Sequence, residues 1–144
     1  MKFSSTVLTK IKDANKIAII GNGGNLAIAR HVASDMTRHL DKFCFAPEAV
    51  HLTALGGDGP WHHEWVCQYA KHADLIIGIT TRINSPIAES LDGRHAILIA
   101  PMKHWRTETI IIEEKTYHEF EVQTLSTCYE IMEQLGAELP RITI

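Results

Sequence analysis

Apolar positions along this chain switch between two periods. KIAII at residues 16–20, DLIIGI at 74–79 and HAILIA at 95–100 are short unbroken apolar runs rich in β-branched residues, as expected of parallel strands covered on both faces. Residues 49–53 and TIII at 109–112 complete five predicted strands. Between the strands the period lengthens to that of a helix. Phe3, Val7, Leu8 and Ile11 recur at helical spacing behind Ser4 and Ser5, either of which can cap that helix, and Asn15 ends it. Leu26, Ala29, Ala33, Met36 and Leu40 make the apolar stripe of a longer second helix. Trp61, Trp65, Val66 and Tyr69 mark a helix over 61–72, where the aromatics suit core or subunit contact better than a base-stacking platform. Pro86 opens a short helix to Leu91. Tyr117, Leu125, Cys128, Met132 and Leu135 line a last helix over 117–135. Residues 41–47 read as a connector and 56–60, GGDGP, as a firm break. This alternation predicts an α/β fold: three layers, an open parallel five-stranded sheet with helices on both faces, flavodoxin-like or Rossmann-like, with ligands outside the carboxyl ends of the strands.

Two strand-to-helix turns carry the chemistry. Gly21-Asn22-Gly23-Gly24 puts three glycines in four positions after the first strand, so an anion can approach the backbone closely. Asn25 is placed to cap the helix that follows, whose first N–H groups and dipole favour negative charge. Glycine used simply to reverse the chain is the competing explanation. The spacing fits neither the G-x-G-x-x-G dinucleotide fingerprint nor a Walker loop, since no Gly-Lys-Ser/Thr follows. Thr80-Thr81-Arg82-Ile83-Asn84-Ser85-Pro86 is the second turn, with three hydroxyls and a guanidinium to offer a phosphate; an ordinary capped helix start would need only Ser85-Pro86. His31 and Asp35, four residues apart, share one face of the second helix, roughly opposite its apolar stripe. That face meets solvent unless another subunit covers it.

Composition narrows the function classes. At 144 residues the chain has the length of one domain, 1–144, and at a net charge of −3 it has no global attraction for nucleic acid or anionic membrane, so any anion must be held by local geometry. Cys44, Cys67 and Cys128 are odd in number and lack C-x-x-C spacing, which supports neither a disulfide framework nor a zinc ribbon and fits a reducing cytoplasm. MKFSSTVLTK has no apolar core of signal-peptide length, and no segment approaches a membrane span.

Residues 19–36, IIGNGGNLAIARHVASDM, resemble the GNGGS-x₅-H-x₃-E stretch of the sugar isomerase (SIS) domain, above all its phosphoheptose isomerase branch. Residues 54–69 resemble that branch's N-D-x-G segment, with Asp58 on the acidic position, and GITTRINSP resembles its G-x-S-T-S-G-N-S phosphate loop. The resemblance covers roughly residues 16–135 and implies that Asn22, Gly23, Gly24, Asn25 and Asp58 line a sugar-phosphate site while Thr80, Thr81, Arg82 and Ser85 hold the phosphate. It implies metal binding or proton transfer by His31 and Asp35 in a site shared between subunits, with Asp35 as base. A glutamine and a histidine of the family's final helix align with Phe120 and Cys128, where the match fails. Asp35 is shorter than the family's glutamate, Asn25 replaces serine, Arg82 and Ile83 replace serine and glycine, and the helical N-terminus is shorter than usual. Zinc is the cofactor implied, on His31 and Asp35, with Cys128 either a third ligand or a buried small hydrophobe.

Two functions are compatible with these residues. One is aldose–ketose isomerisation of a sugar phosphate, with sedoheptulose 7-phosphate the leading substrate, by a cytoplasmic homotetramer or homodimer that binds neither nucleic acid nor membrane. The other is a non-catalytic sugar-phosphate-binding regulatory or adaptor module, which the missing glutamine and histidine favour and the retained His31 and Asp35 disfavour.

Overall fold

A computed structural model describes residues 3–48 and 61–143. The predicted strand over 49–53, the break at 56–60 and Asp58 lie outside the described residues. Within them, strands β1 (Lys16–Ile20), β2 (Phe43–Phe45), β3 (Leu75–Ile79), β4 (Ala96–Ala100) and β5 (Glu108–Ile111) form one sheet in the order β2-β1-β3-β4-β5. Every pairing is parallel. Helices α1 (Ser5–Asp13), α2 (Gly24–Leu40), α3 (Trp61–Tyr69), α4 (Pro86–Leu91) and α5 (Tyr117–Gln134) cover it. The α/β architecture expected from the apolar pattern is therefore present.

Alternation within the strands divides the core into two layers. Ile17, Ile19, Ile77, Ile97, Ile99 and Ile110 face α1, α2 and α5 and pack with Val7, Leu26, Ala29, Met36, Phe120 and Ile131. Ala18, Ile20, Ile76 and Leu98 face α3 and α4 and pack with Val66, Ile87 and Leu91. Small residues let the second layer close tightly. A Cβ on Gly78 would stand 2.6 Å from Leu91 Cδ1 and 2.8 Å from Ile87 Cγ2. Hydroxyl caps fix the helix starts: Ser4 accepts from the Val7 N–H, Ser85 from Ala88 and Thr116 from Glu119.

Three sequence expectations change. Residues 43–45, read as connector, are the edge strand β2; three residues are too few to show a strand period, and the segment is fixed instead by pairing with β1 and by the Thr37 hydroxyl, which accepts from the Cys44 N–H at 3.0 Å and lies 3.1 Å from the Cys44 carbonyl. Tyr117, assigned to the apolar side of the last helix, is 63% exposed, because the buried face of α5 runs through Phe120, Thr124, Cys128, Ile131 and Met132. Leu40 ends the α2 stripe only half-buried, and Val32 joins the buried set.

The topology places the site. The chain leaves β1 toward β2 on one side and returns with β3 on the other, so the strand order reverses between β1 and β3. The loops leaving those two strands diverge there and open a crevice. They begin at Gly21 and Thr80, the two turns singled out by their residue types.

Candidate functional site

The glycine turn is held by close packing. A Cβ on Gly21 would lie 2.6 Å from the Asn25 carbonyl carbon and 2.8 Å from the Leu26 nitrogen, so α2 can start this near the end of β1 only over glycine. Gly23 adopts φ 55° and is the N-cap of α2, in place of the expected Asn25. Turning at positive φ starts the helix early enough to place Asn25 inside its first turn. There the Asn25 side chain is 8% exposed, and its Oδ1 has no hydrogen-bond partner among the described residues. A buried amide oxygen left this way costs free energy unless a ligand donor reaches it.

Asn25 lines a cleft of about 560 Å³ together with Asn22, Gly24, Thr80, Thr81 and Arg82, closed on the far side by Tyr117, His118 and Glu121 at the start of α5. Thr80 is buried, and its Oγ1 accepts from the Arg82 N–H at 3.1 Å, which curls the loop and leaves Arg82 exposed at its tip. Ser85 is not among these lining residues: its side chain is 1% exposed and caps α4. Glu121 was not anticipated from the sequence. Its carboxylate occupies the space a Cβ on Gly24 would need, at the positive end of α2. Part of the anion cradle expected at the glycine turn is thus filled by the protein's own carboxylate.

Further along, α2 and α5 run side by side, and a second polar cluster bridges them. His31 lies seven residues past Gly24, about two turns or roughly 10 Å down the helix. His31 Nε2 is 3.2 Å from Asp35 Oδ2 and 2.8 Å from the Tyr129 hydroxyl. Tyr129 also hydrogen-bonds Asp35, and its pKa is raised above the usual tyrosine value, first by burial and then by the Asp35 charge. The His31 side chain is 55% exposed and that of Asp35 24%. The expected neighbours His31 and Asp35 do meet; Tyr129 completes a triangle that sequence reading missed.

The last helix explains the omission. Phe120 and Cys128, aligned by resemblance with the family's site positions, are 1% and 3% exposed and lie in the core. One residue along, Glu121 reaches Gly24 and Tyr129 reaches His31, eight residues apart as Phe120 and Cys128 are. A one-residue shift turns a helix by about 100°, which exchanges a core face for a site face. The repeated spacing of eight was visible in the sequence; its register was not.

This geometry also tests the metal. Cys128 is 3% exposed and packs into the hydrophobic core, where burial pushes its thiol up to about 12. The third donor beside His31 and Asp35 is a phenol, and no group of three His, Cys, Asp or Glu side chains suited to a metal ion gathers among the described residues. The described residues of one subunit do not fit the zinc site that the resemblance implies.

No family model matches the chain. A phosphoheptose isomerase of Aliarcobacter butzleri is 34% identical over 94 aligned residues, covering 58% of this chain and 50% of that protein. One of Aquifex aeolicus is 34% identical over 91 residues, covering 55% and 47%. The solved structure of phosphoheptose isomerase from Neisseria gonorrhoeae superposes with a TM-score of 0.64 at 20% identity, over 91% of this chain and 81% of that one. The chain is similar in sequence to phosphoheptose isomerases and shares the fold of one. At 20% identity the structural likeness carries the fold alone, and this chain spans about half the length of the curated relatives it matches. Among the described residues no helix is long and apolar enough to cross a membrane.

Proposed function

We propose that this domain, 1–144, is a cytoplasmic aldose–ketose isomerase acting on a sugar phosphate of heptose length, such as sedoheptulose 7-phosphate. The observation that carries this reading is the pairing of two polar clusters along one helix: a cleft with phosphate-binding chemistry at the head of α2, and an acid–base cluster about two turns further on. In it Thr80, Thr81 and Arg82 hold the phosphate. Asn22, Asn25 and Glu121 take the sugar hydroxyls, for which amide and carboxylate oxygens, the unpartnered Asn25 Oδ1 above all, are natural acceptors. Ser85 supports the loop as the cap of α4. The relatives named phosphoheptose isomerase support the reaction class. A non-catalytic sugar-phosphate module would account for the cleft but would have no use for a hydrogen-bonded cluster of His31, Asp35 and Tyr129.

Incubating the protein with a panel of ketose phosphates and following aldose formation tests the reading; no turnover on any of them would leave the binding module in its place. Arg82→Ala removes a charge-assisted bond to phosphate worth about 1.5–3 kcal/mol, so affinity for inorganic phosphate is expected to fall roughly tenfold or more by calorimetry. An unchanged affinity would move the phosphate away from this loop.

The exposure of His31 calls for a second copy. Chemistry through an enediol needs water excluded, and this face of α2 lies open in a single subunit. We expect a symmetric homodimer or homotetramer that covers the cluster, to be checked by sedimentation at micromolar protein. A monomer under conditions of full turnover would refute the shared site.

A further inference from the structure

His31, Asp35 and Tyr129 hold one another across two helices, and none of the three lines the cleft. We infer that Tyr129 is the proton donor to the substrate carbonyl oxygen and that the His31–Tyr129–Asp35 cluster carries the proton transfers without a metal ion. This rests on the isomerase reading and names the acid that reading lacks. Aldose–ketose exchange needs a base at one carbon and an acid at the oxygen of the next, two positions about one bond apart. Asp35 on α2 and Tyr129 on α5 are within hydrogen-bond reach of each other and are both tied to His31 Nε2, which gives that spacing without a further ligand.

The titratable neighbours of Tyr129 suit the role. Asp35 faces it from α2 within hydrogen-bond reach, His31 Nε2 stands 2.8 Å from its hydroxyl, in place to resupply a proton, and Cys128, on its own helix, is buried in the core. In the step, an Asp35 oxygen takes the proton from the carbon beside the carbonyl. The C–H electron pair becomes the carbon–carbon double bond, the carbonyl π pair moves to oxygen, and that oxygen takes the Tyr129 proton, giving the enediol. Return of the proton from Asp35 to the neighbouring carbon, with loss of the other hydroxyl proton to the tyrosinate, completes the exchange with no oxidant or reductant. The metal alternative requires a third ligand where the structure has a phenol, and the nearest thiol points into the core.

The test measures kcat and KM for wild type, Tyr129→Phe and Tyr129→His, all in chelator. Wild-type turnover is expected to survive the chelator. In Tyr129→Phe, kcat should fall about 100-fold or more with KM and phosphate affinity little changed. Tyr129→His offers a donor that loses its proton near pH 6.5, so its rate should exceed that of the Phe variant below that pH and decline above it, a limb the wild type lacks. Wild-type loss of activity in chelator, full activity of Tyr129→Phe, or a Tyr129→His profile that merely follows the Phe variant would each overturn the proposal while leaving the isomerase reading in place. Failure of the wild type on every sugar phosphate, with or without zinc, would sink that reading and the proposal with it.

Discussion

Isomerase turnover is expected to fall by about 10²- to 10⁴-fold in Asp35→Asn, with phosphate binding unchanged. Asparagine keeps the size of the side chain and the contact with His31 Nε2 at 3.2 Å, but it cannot accept a proton from carbon. The phosphate end lies about three helical turns away and has no part in the loss. Asp35 also contributes to holding the Tyr129 phenol above the usual range, second to burial. In Asp35→Asn the tyrosinate absorbance of Tyr129 should therefore appear at lower pH than in wild type. That second readout does not depend on the substrate. Full turnover in the variant would remove Asp35 as base; loss of phosphate affinity in parallel would mean that the substitution had disturbed the cleft.

The largest effect on stability is expected at Gly21. Gly21→Ala brings a methyl to 2.6–2.8 Å of the backbone of Asn25 and Leu26, and backbone at a helix start can yield only if the whole of α2 shifts on the sheet. Overpacking of this kind costs about 1–3 kcal/mol and here should reach the upper end or beyond, read as a lowered midpoint in urea. Gly24→Ala is the contrast. Its new methyl first meets the end of the Glu121 side chain, which can swing aside, so a smaller loss is expected there, together with a displaced carboxylate in the cleft. Equal destabilisation by the two variants would show that the turn is held by something other than the approach of α2 to β1.

The sequence by itself determined the architecture. Unbroken runs such as IIGI within β3 and AILIA in β4 can be buried on both faces only in a parallel sheet covered by helices, and the helical stripes between them supply the cover. It also located both turns, because glycine clusters and hydroxyl-rich loops after strands are local signals that need no knowledge of what packs nearby. His31 and Asp35 were legible for the same reason, as neighbours one turn apart on a single helix.

What required the tertiary structure was every relation between distant segments. Whether Phe120 or Glu121, and Cys128 or Tyr129, turns toward α2 depends on the rotation of α5 on the sheet, and the sequence fixes that only through a stripe broad enough to hide a one-residue shift. The short strand β2 exists because β1 and Thr37 provide partners for three residues that carry no period of their own. Gly23, not Asn25, begins α2 because the approach of the helix to β1 decides where the chain must bend. Local chemistry can be read along the chain, whereas the side of a helix that meets another element is settled by the packing of the whole.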